Sequence, residues 1–538
     1  MKRRTATNRV LALLSAWLMA STWIAAQPPV AIRNQPDSPT VNVFYEFPYD
    51  GIAPNGYSHG KVLYSELIQG ADGNFYGTTV NGGSGLCADG FGVEGCGTIF
   101  KLTPEGVETV LFNFTYDPNT NTAVNGIYPY GGLIQGKDGN FYGTTSAGGN
   151  PNAGGNGCIV GCGVVFKITP SAKFTMLHQF GGGGANPPEG AVPTGRLILA
   201  SDGKFYGTTY SGGQVQGFFN QGTIFSITSS GAFSTLHLFD AKHVLDGAAP
   251  YAGLIQGKDG AFYGTTQFGG TDGAGTVFRF TKSAGVTELH SFVQPQPGVF
   301  PDGAYPLAAL VQASTGDLYG VTTAGGAVQT DDSGTLFKIT TKGAFTKLWD
   351  FDAKTGGSFL QGSPQGGLIQ ASDGNLYGTT SIGGQPDCGC GTAFQITPSG
   401  TFTQLIAFED VNDGRWPVSV PLQGADGLLY ITNSRGPSIG LHDGGGTAVQ
   451  IDNSLPKPKP TISKFSPASG TVGQKVTISG SHFVGTTKVS FNGTAASFTV
   501  RSTSTVTATV PAGATSGPIA ITNAGGSVTS TANFNVLP

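Results

Sequence analysis

The sequence predicts an all-β protein: a seven-bladed β-propeller with N-terminal strand closure, followed by an Ig-like β-sandwich. A phrase ending in FYGTT occurs seven times, three of them in a weaker form, and its tyrosines are 53 to 66 residues apart. A period of this length in β-type residues is typical of propeller blades. Glycine accounts for 87 of the 538 residues and charged residues for only 11%, a composition that suits a turn-rich exported protein.

Each repeat divides into four β segments. In the first repeat these are Leu67–Gln69, Asn74–Thr79, Thr98–Leu102 and Glu108–Phe114. An Asp-Gly turn joins the first two segments, because glycine accepts a positive φ without a steric clash. We expect the tyrosines of the second segments to pack between blades; they are Tyr76, Tyr142, Tyr206, Tyr263, Tyr319, Tyr377 and Tyr430.

The ends of the repeat array predict how it closes. The seventh repeat has no fourth segment after Asp452, whereas a segment of the fourth type, Val41–Phe47, stands alone before the first repeat. We therefore expect Val41–Phe47 to pair with Thr447–Asp452, which removes the exposed edges that an open array would leave. The alternative is an open solenoid with an orphan strand.

The start of the chain predicts export. Residues 1–26 have the pattern of a signal peptide, with basic residues before an apolar stretch, Val10–Ile24. An uncleaved membrane anchor is the alternative, although this stretch is short for a span of about 20 residues. Residues 27–40 are then a linker, 41–453 the propeller, 454–460 a Pro/Lys linker and 461–538 the Ig-like domain. We expect a secreted protein, extracellular or at the cell surface, with the periplasm as an alternative and no membrane span after cleavage.

The charge of the chain bears on its partners, and its cysteines bear on the compartment in which it works. The formal net charge is −4, and no basic block with interleaved aromatics occurs, so nucleic acid is not an expected partner. An even number of cysteines in an exported chain favours disulfides over zinc, because no pair has histidines at ligand spacing. The predicted pairs are Cys87/Cys96, Cys158/Cys162 and Cys388/Cys390. A disulfide in the third of these pairs would close a strained ring.

The segment after the linker is rich in Thr, Ser, Val and Gly and alternates in short strands, which suits an Ig-like sandwich. It resembles the IPT/TIG family over Thr461–Val536. This resemblance implies a spacer or contact module without chemistry of its own. It rests on Pro467, Gly470, Gly473, Val476–Gly480, Phe483, Val489–Gly493, Val510, Pro511 and Gly525.

The repeats resemble the Gloeo/Verruco (GloVer) tandem repeat of bacterial exported proteins over roughly residues 41–452. The matching patterns are GLIQ-x-DG-x-FYGTT-x-x-GG, as at Gly132–Gly149, and GT-x-F-K-x-T-P, as at Gly97–Pro104. The resemblance implies the repeat architecture and export, and it carries no activity.

A second phrase, acidic-Gly-x-x-Pro, precedes the first strand of most repeats. One interpretation is a ring of carboxylates near the central mouth, which would hold either Ca²⁺ or a cationic ligand. Ca²⁺ is the one cofactor that this pattern indicates. The other is that Asp or Asn caps its own turn while Pro stiffens the entry to the strand. The candidate ligand-binding residues are Asp50, Asp246, Asp302, Asp413 and Trp416.

Loop lengths predict where a ligand binds. The turns within hairpins one–two and three–four are short and share one face of the disc, while the long loops share the other, so we expect any ligand on the long-loop face. Aromatic residues in the long loops either stack on sugars or pack loop against loop. They are Tyr57, Tyr128, Tyr130, Tyr251, Tyr305, Phe359 and Trp416.

No catalytic motif accompanies this scaffold. The sequence contains no G-x-S-x-G, H-E-x-x-H or phosphate loop. His178, His237 and His290 share one repeat position, where Trp349 replaces them elsewhere, which favours a surface filler over a base. The sequence predicts an exported binding or scaffold protein whose partner is an extracellular glycan or a surface protein. The alternative is a secreted carbohydrate-active enzyme that uses loop carboxylates.

Overall fold

A computed structural model describes residues 39–48, 60–85, 87, 95–149, 158, 161–181, 189–213, 221–239, 246–296, 298–326, 334–352, 366–384, 389–409, 412–439 and 442–538. The elements in these residues are β-strands. No helix in this part of the chain is long and apolar enough to cross a membrane. The predicted signal peptide, residues 1–26, lies outside the described residues.

The strands of the first three repeats, with the strand before them, are β1 (Thr40–Glu46), β2 (Gly60–Lys61), β3 (Ile68–Gln69), β4 (Phe75–Thr79), β5 (Asn81–Gly82), β6 (Thr98–Leu102), β7 (Glu108–Asn113), β8 (Ile134–Gln135), β9 (Phe141–Thr145), β10 (Val164–Ile168), β11 (Phe174–Gln179), β12 (Ile198–Leu199), β13 (Phe205–Thr209), β14 (Thr223–Ile227) and β15 (Phe233–Leu238). Those of the next four repeats are β16 (Ile255–Gln256), β17 (Phe262–Thr266), β18 (Thr276–Thr281), β19 (Gly285–Ser291), β20 (Val311–Gln312), β21 (Leu318–Val321), β22 (Thr335–Ile339), β23 (Phe345–Asp350), β24 (Leu368–Gln370), β25 (Leu376–Thr380), β26 (Thr392–Ile396), β27 (Phe402–Ala407), β28 (Arg415–Pro417), β29 (Leu422–Gln423), β30 (Leu429–Ile439), β31 (His442–Gly444) and β32 (Thr447–Asp452).

The repeats form antiparallel sheets in a β-propeller-like arrangement. Each of the first six contributes a four-stranded sheet whose strands are neighbours in chain order, from β3-β4-β6-β7 to β24-β25-β26-β27. The last sheet has the order β1-β32-β30-β28, with β29 and β31 also paired to β30. In each four-stranded sheet we call the strand that comes first in the chain the first strand, as β3 and β24 are. We call the strand that comes last the outermost strand. The outermost strands are β7, β11, β15, β19, β23 and β27.

The segment before the first repeat completes the last sheet, as predicted. Strand β1 pairs antiparallel with β32, from Thr40 opposite Asp452 to Glu46 opposite Thr447. The first and last sheets also share a core cluster that contains Phe47, Phe75 and Tyr430. The two ends of the repeat array are therefore joined in one sheet.

Tyrosines link each sheet to the next. The ring of Tyr76 lies 4.0 Å from that of Phe141 in the following sheet, and the Tyr142 ring lies 4.1 Å from that of Phe205. At the end of the array, the Tyr430 ring lies 4.3 Å from that of Phe75 in the first sheet. These contacts confirm the predicted packing between neighbouring sheets, because each ring pair is buried where two sheets meet.

The tyrosine hydroxyls also fix the tight turns. Tyr142 donates a hydrogen bond of 2.7 Å to Asp138 in the turn before its own strand, and Tyr76 donates one of 2.8 Å to Asp72. Burial raises the pKa of both phenols, and the neighbouring carboxylates add to this shift. The aspartate of such an Asp-Gly turn is thus part of the turn and also accepts the hydroxyl of the buried tyrosine in the next strand.

The C-terminal segment builds a separate core from two further sheets. Their orders are β33-β35-β39-β38 and β34-β41-β40-β36-β37. Val476, Phe491, Val506 and Phe534 are buried between them. Their strands are β33 (Thr461–Ser466), β34 (Ser469–Gly470), β35 (Lys475–Ser481), β36 (Lys488–Phe491), β37 (Thr494–Ala496), β38 (Phe498–Ser502), β39 (Thr505–Thr509), β40 (Gly517–Asn523) and β41 (Gly526–Val536).

The linker between the repeats and this segment is attached at both ends. Pro456 accepts hydrogen bonds from Ser372 and Gln423 of the last two repeats. Asn523 of the C-terminal segment donates a hydrogen bond of 3.0 Å to the carbonyl of Pro458. These contacts hold the C-terminal segment against the short turns of the repeats.

Candidate functional site

The acidic residues of the second phrase lie beside the outermost strands. Asp302 Oδ2 is 2.9 Å from His290 Nε2, and Asp246 Oδ2 is 3.5 Å from His237 Nε2. Both histidines belong to the outermost strands of the preceding sheets, β19 and β15. Asp246 and Asp302 thus each face an imidazole of a different sheet, and the carboxylate ring at a central mouth stays a prediction.

The same carboxylates accept backbone amides where the outermost strands end. Val293 N donates to Asp302 Oδ1 at 3.2 Å, and Glu409 N donates to Asp413 Oδ1 at 2.7 Å. Each amide follows the last residue of a fourth segment, so the carboxylate closes the loop to the next repeat. These are the contacts expected of a structural cap. A ligand role for these carboxylates stays a prediction.

The first repeat departs from this phrase. Gly60 occupies the position of its glycine, because Lys61 pairs with Asn81 as Ile127 does with Ala147 in the second repeat. This glycine has neither an acidic residue before it nor a proline after it. Asp50 lies outside the described residues, and its ligand role stays a prediction.

The repeated histidines form aromatic contacts between outermost strands. The His178 ring stacks on Phe233 at 3.8 Å, and the His290 ring stacks on Phe345 at the same distance. Trp349 stacks on Phe402 at 4.5 Å in the equivalent place. Burial lowers the pKa of His178, against the opposing charge of Glu189. A position that takes either imidazole or indole has a packing role.

Two candidates from the sequence, Asp413 and Trp416, are brought together in the last sheet. Asp413 is buried, and this burial, with the charge of Glu409 in support, raises its pKa to about 6. The Trp416 ring lies 4.8 Å from the guanidinium carbon of Arg415 and 5.7 Å from that of Arg435. Cation–π contacts with two arginines hold this ring and limit its use for stacking on a sugar.

Two predicted disulfides are confirmed. Cys87 is bonded to Cys96 and Cys158 to Cys162. Cys390 is buried, while Cys388 lies outside the described residues. The carbonyl of Cys96 accepts the amide of Tyr128 from the next repeat. The cross-linked loops therefore also form joints between sheets.

Tyrosines of the long loops fill the centre of the array. Equivalent residues of six repeats converge around a cavity of about 70 Å³: Tyr64, Tyr130, Thr194, Tyr251, Leu307 and Val418. The rings of Tyr64 and Tyr130 are stacked with centroids 5.6 Å apart. Burial raises the pKa of Tyr251. Tyr130 and Tyr251 therefore pack loop against loop, while Tyr57 and Phe359 lie outside the described residues.

A larger cavity lies on the opposite side. It has a volume of about 760 Å³ and is bounded by first strands and short turns of the repeats on one side and by the C-terminal segment on the other. We call it the cleft. The turns of this face are short, but the C-terminal segment covers them and encloses the space.

A belt of glutamines connects neighbouring sheets, and four of its six members line the cleft. At six junctions between sheets, the Oε1 atom of a first-strand glutamine accepts an amide from the turn of the preceding sheet at 2.7–3.0 Å. One of these joins Ala425 of the last repeat to Gln69 of the first at 3.0 Å. The members are Gln69, Gln135, Gln256, Gln312, Gln370 and Gln423.

The belt is interrupted at one junction, which lies in the cleft. Leu199 occupies the glutamine position of the third repeat, opposite the amide of Lys137. In the described residues this amide has no hydrogen-bond acceptor, whereas its counterpart in the next repeat, Ser201 N, donates to Gln256 at 2.8 Å. Leu199 and Lys137 both line the cleft.

An ion pair stands where the cleft meets the central cavity. Arg196 Nη1 is 2.8 Å from Glu66 Oε1, and both residues line both cavities. Five repeats have Gly, Ala or Val at the position of these two residues. The pair passes over Gly132, where an added Cβ would lie 3.0 Å from Glu66 Cδ, so a larger residue there would require the Glu66 side chain to shift. This pair is a departure from the repeat.

Charge in the cleft is predominantly positive. Lys137, Arg196 and Lys464 line it against the single carboxylate of Glu66. His482 also lines it, and burial lowers the pKa of this imidazole. Within the described ranges, no three His, Cys, Asp or Glu side chains come together as a metal site requires. A Ca²⁺ role stays a prediction.

The repeat patterns can be compared with known families. The profile described as the Gloeobacter/Verrucomicrobia repeat matches residues 29–188, 155–363 and 299–501. The chain belongs to this repeat family. The family explains why the sheets recur with one set of turn and strand residues, and it leaves the cleft, which depends on departures from that set, unassigned. No curated protein matches the chain.

Solved structures resemble this repeat protein only distantly. A fungal alcohol oxidase of the AA5 family in complex with copper has 13% identity, covers 93% of this chain and 99% of its own, and gives a TM-score of 0.45. A protein of unknown function from Bacteroides thetaiotaomicron has 11% identity, with 79% and 99% covered and a TM-score of 0.36. A luciferin-regenerating enzyme has 12% identity, with 59% and 88% covered and a TM-score of 0.34. None is similar enough to carry an argument about function.

The cleft residues are not part of any recurring motif, although the sequence contains their signals. Glutamine occupies one position of the first strand in six repeats, and Leu199 occupies it in the third repeat. Glu66 and Arg196 stand at a position where the other repeats have small or apolar residues. Such departures from a repeat are where a scaffold acquires a specific site.

Proposed function

We propose that this repeat protein is an exported binding protein that holds its ligand in the cleft. The single observation that carries the proposal is the cavity of about 760 Å³ between the short-turn face and the C-terminal segment. Ligand sites commonly have volumes of about 300–1,000 Å³ and occur between domains. The polar and apolar lining from both sides suits a small molecule better than a flat protein partner.

The scaffold of this proposal is a closed seven-bladed propeller. Six four-stranded sheets and the sheet completed by β1 supply seven blades. The hydrogen bond from Ala425 to Gln69 and the shared core of Phe75 and Tyr430 support closure between the last and first. Closure makes the floor of the cleft rigid, because no blade has a free neighbour-facing edge.

The roof is an Ig-like domain of IPT/TIG type in this proposal. Two sheets around one core support it, as does the resemblance of Thr461–Val536 to that family. Ser463 and Thr503 of this segment line the cleft, so the domain contributes contacts besides acting as a spacer.

Export is supported by the disulfides Cys87–Cys96 and Cys158–Cys162, since such bonds persist in oxidising compartments. The basic-then-apolar start of the sequence agrees with this location. An extracellular glycan or surface protein remains a proposed partner. No Phe, Tyr or Trp side chain lines the cleft in the described residues, which favours other small molecules over sugars there.

Two tryptophan variants test the cleft. Ser201 and Ser314 occupy the same turn position in the third and fifth repeats, and both donate their amides to a belt glutamine, but only Ser201 lines the cleft. A panel of small molecules and oligosaccharides is screened by thermal shift and confirmed by calorimetry. Ser201→Trp should weaken a confirmed ligand at least about tenfold, because the indole fills the cavity, while Ser314→Trp should bind like the wild type.

Equal binding by both variants would place the ligand outside the cleft. The rival function, a carbohydrate-active enzyme with loop carboxylates, requires those carboxylates to share one cavity. Asp246 and Asp302 instead each face a histidine of a different sheet. Release of reducing sugar from polysaccharides by the purified protein would nevertheless establish the rival.

A further inference from the structure

The interruption of the glutamine belt leaves one donor without an acceptor in the cleft. At the other six junctions a glutamine oxygen receives the turn amide, whereas Leu199 occupies the glutamine position at the junction of Lys137, and the Lys137 amide has no acceptor among the described residues. Lys137 is exposed at the edge of the cleft, so its amide is accessible to a ligand oxygen. An oxygen of a ligand bound at this junction would take the place of the missing glutamine oxygen.

The charge around this donor selects an anionic oxygen. Lys137, Arg196 and Lys464 line the cleft with only Glu66 opposing them, a local excess of positive charge. The whole chain has 28 basic and 32 acidic residues, so this excess runs against its overall balance. Walls of low dielectric concentrate such a field in a cleft. A carboxylate is the group whose oxygens match one amide and the neighbouring cationic side chains.

The apolar residues that line the cleft favour a ligand with an aliphatic chain. Ile134, Leu199, Ile369 and Leu422 are half-buried and border the cleft beside the polar belt. Apolar surface of this kind gains stability when a ligand displaces its water. The described lining contains no Phe, Tyr or Trp ring, the usual platforms for stacking a sugar or an aromatic ligand.

We propose that the cleft binds an amphiphilic carboxylate, with its carboxylate at the Lys137 amide and its aliphatic chain along Leu199 and the neighbouring first strands. This inference rests on the proposed function and specifies its ligand. The ligand supplies at the third repeat the oxygen that glutamine supplies elsewhere, and so completes the belt.

Three probes built on a ten-carbon chain separate the contribution of the head group from that of the chain. Decanoate, decanol and decyltrimethylammonium are titrated below their micelle concentrations into the full protein by calorimetry, at low and high salt. Decanoate should bind, and its affinity should fall with salt because charge contributes to binding. Decanol should bind at least about tenfold more weakly, and decyltrimethylammonium should not bind.

The decisive variant is Leu199→Gln, which restores the belt from within the protein. It should weaken decanoate at least about tenfold while leaving the thermal unfolding midpoint unchanged or raised, since a glutamine oxygen now occupies the anion position. Leu199→Met is the matched control: it keeps an apolar side chain without that oxygen and should retain binding. Gln312→Leu opens the belt outside the cleft and should lower the unfolding midpoint with decanoate binding intact.

The outcomes are distinct. Equal affinity for decanoate and decanol, undiminished decanoate binding by a folded Leu199→Gln variant, or no binding of decanoate at millimolar concentration each overturns the inference. Lys137→Met provides a second measure, because it should reduce the salt dependence of decanoate binding even where Leu199→Gln is poorly folded. A panel ligand lost in Ser201→Trp and retained in Ser314→Trp would still support the cleft, so the two proposals fail separately.

Discussion

At the scale of single residues, Asp413 shows that one repeat position can have different surroundings, and a different pKa, in different sheets. Asp302 faces an imidazole, whereas Asp413 is buried beside Glu409 and has its pKa raised to about 6. A raised carboxyl pKa means that the folded state binds the proton more tightly than the unfolded state. Stability therefore falls as pH rises from about 4 to about 6, and the loss is complete above the folded pKa.

Asp413→Asn should remove this pH dependence. The amide oxygen can still accept the Glu409 amide, and no charge has to be buried, so the variant should be more stable than the wild type at pH 7 by about 2 kcal/mol. Denaturant unfolding at several pH values, followed by tryptophan fluorescence, measures this. Asp302→Asn is the control and should instead lower stability, because it loses a carboxylate that contacts His290. A wild-type curve that is flat between pH 4 and pH 7 would contradict the argument.

At the scale of elements, the hairpin of the first two strands depends on a tyrosine–aspartate hydrogen bond. Tyr142 donates to Asp138 at 2.7 Å, but in the fifth repeat Thr315 replaces the aspartate, and Tyr319 donates to the Pro398 carbonyl at 3.3 Å. Tyr142→Phe should therefore cost about 2 kcal/mol and Tyr319→Phe about 1 kcal/mol or less. Comparison of the two denaturant midpoints measures the difference. Equal losses would show that ring packing, not the hydroxyl, fixes the hairpin.

The strands and hairpins were predictable because their determinants are local. Asp-Gly turns, the alternating FYGTT segments and closely spaced cysteines such as Cys87 and Cys96 each act within a few residues. The pairing of β1 was predictable because segments could be counted. The contact between Asp302 and His290 was not, since it depends on the path of a long loop.

The cleft was unpredictable for a related reason. Its floor needs residues from several repeats at one end of the array, and its roof needs the orientation of the C-terminal segment, which the linker contacts at Pro456 and Pro458 set. What the sequence does contain is the list of exceptions, Leu199 among them.

At the scale of the whole molecule, both ends of the repeat array meet in one sheet. Strand β1 pairs along β32, and Tyr45 in β1 also donates a hydrogen bond of 2.7 Å to Glu108 of the first sheet. Strand β1 therefore contacts the last sheet and the first at once. Such an arrangement makes the stability of every sheet depend on a segment that precedes them all.

Deleting Thr40–Glu46 should expose the edge of β32 and lower the thermal unfolding midpoint of the whole repeat array, because one sheet loses an outer strand and the first loses its contact with Tyr45. Unpaired edges also promote association, so the variant should elute as oligomers in size-exclusion chromatography. A synthetic peptide of sequence TVNVFYE should raise the midpoint again by pairing with β32, whereas a scrambled peptide of the same composition should not. A deletion variant that unfolds at the wild-type temperature as a monomer would show that the array closes through the Gln69 and Tyr430 contacts alone, and that β1 adds only local stability.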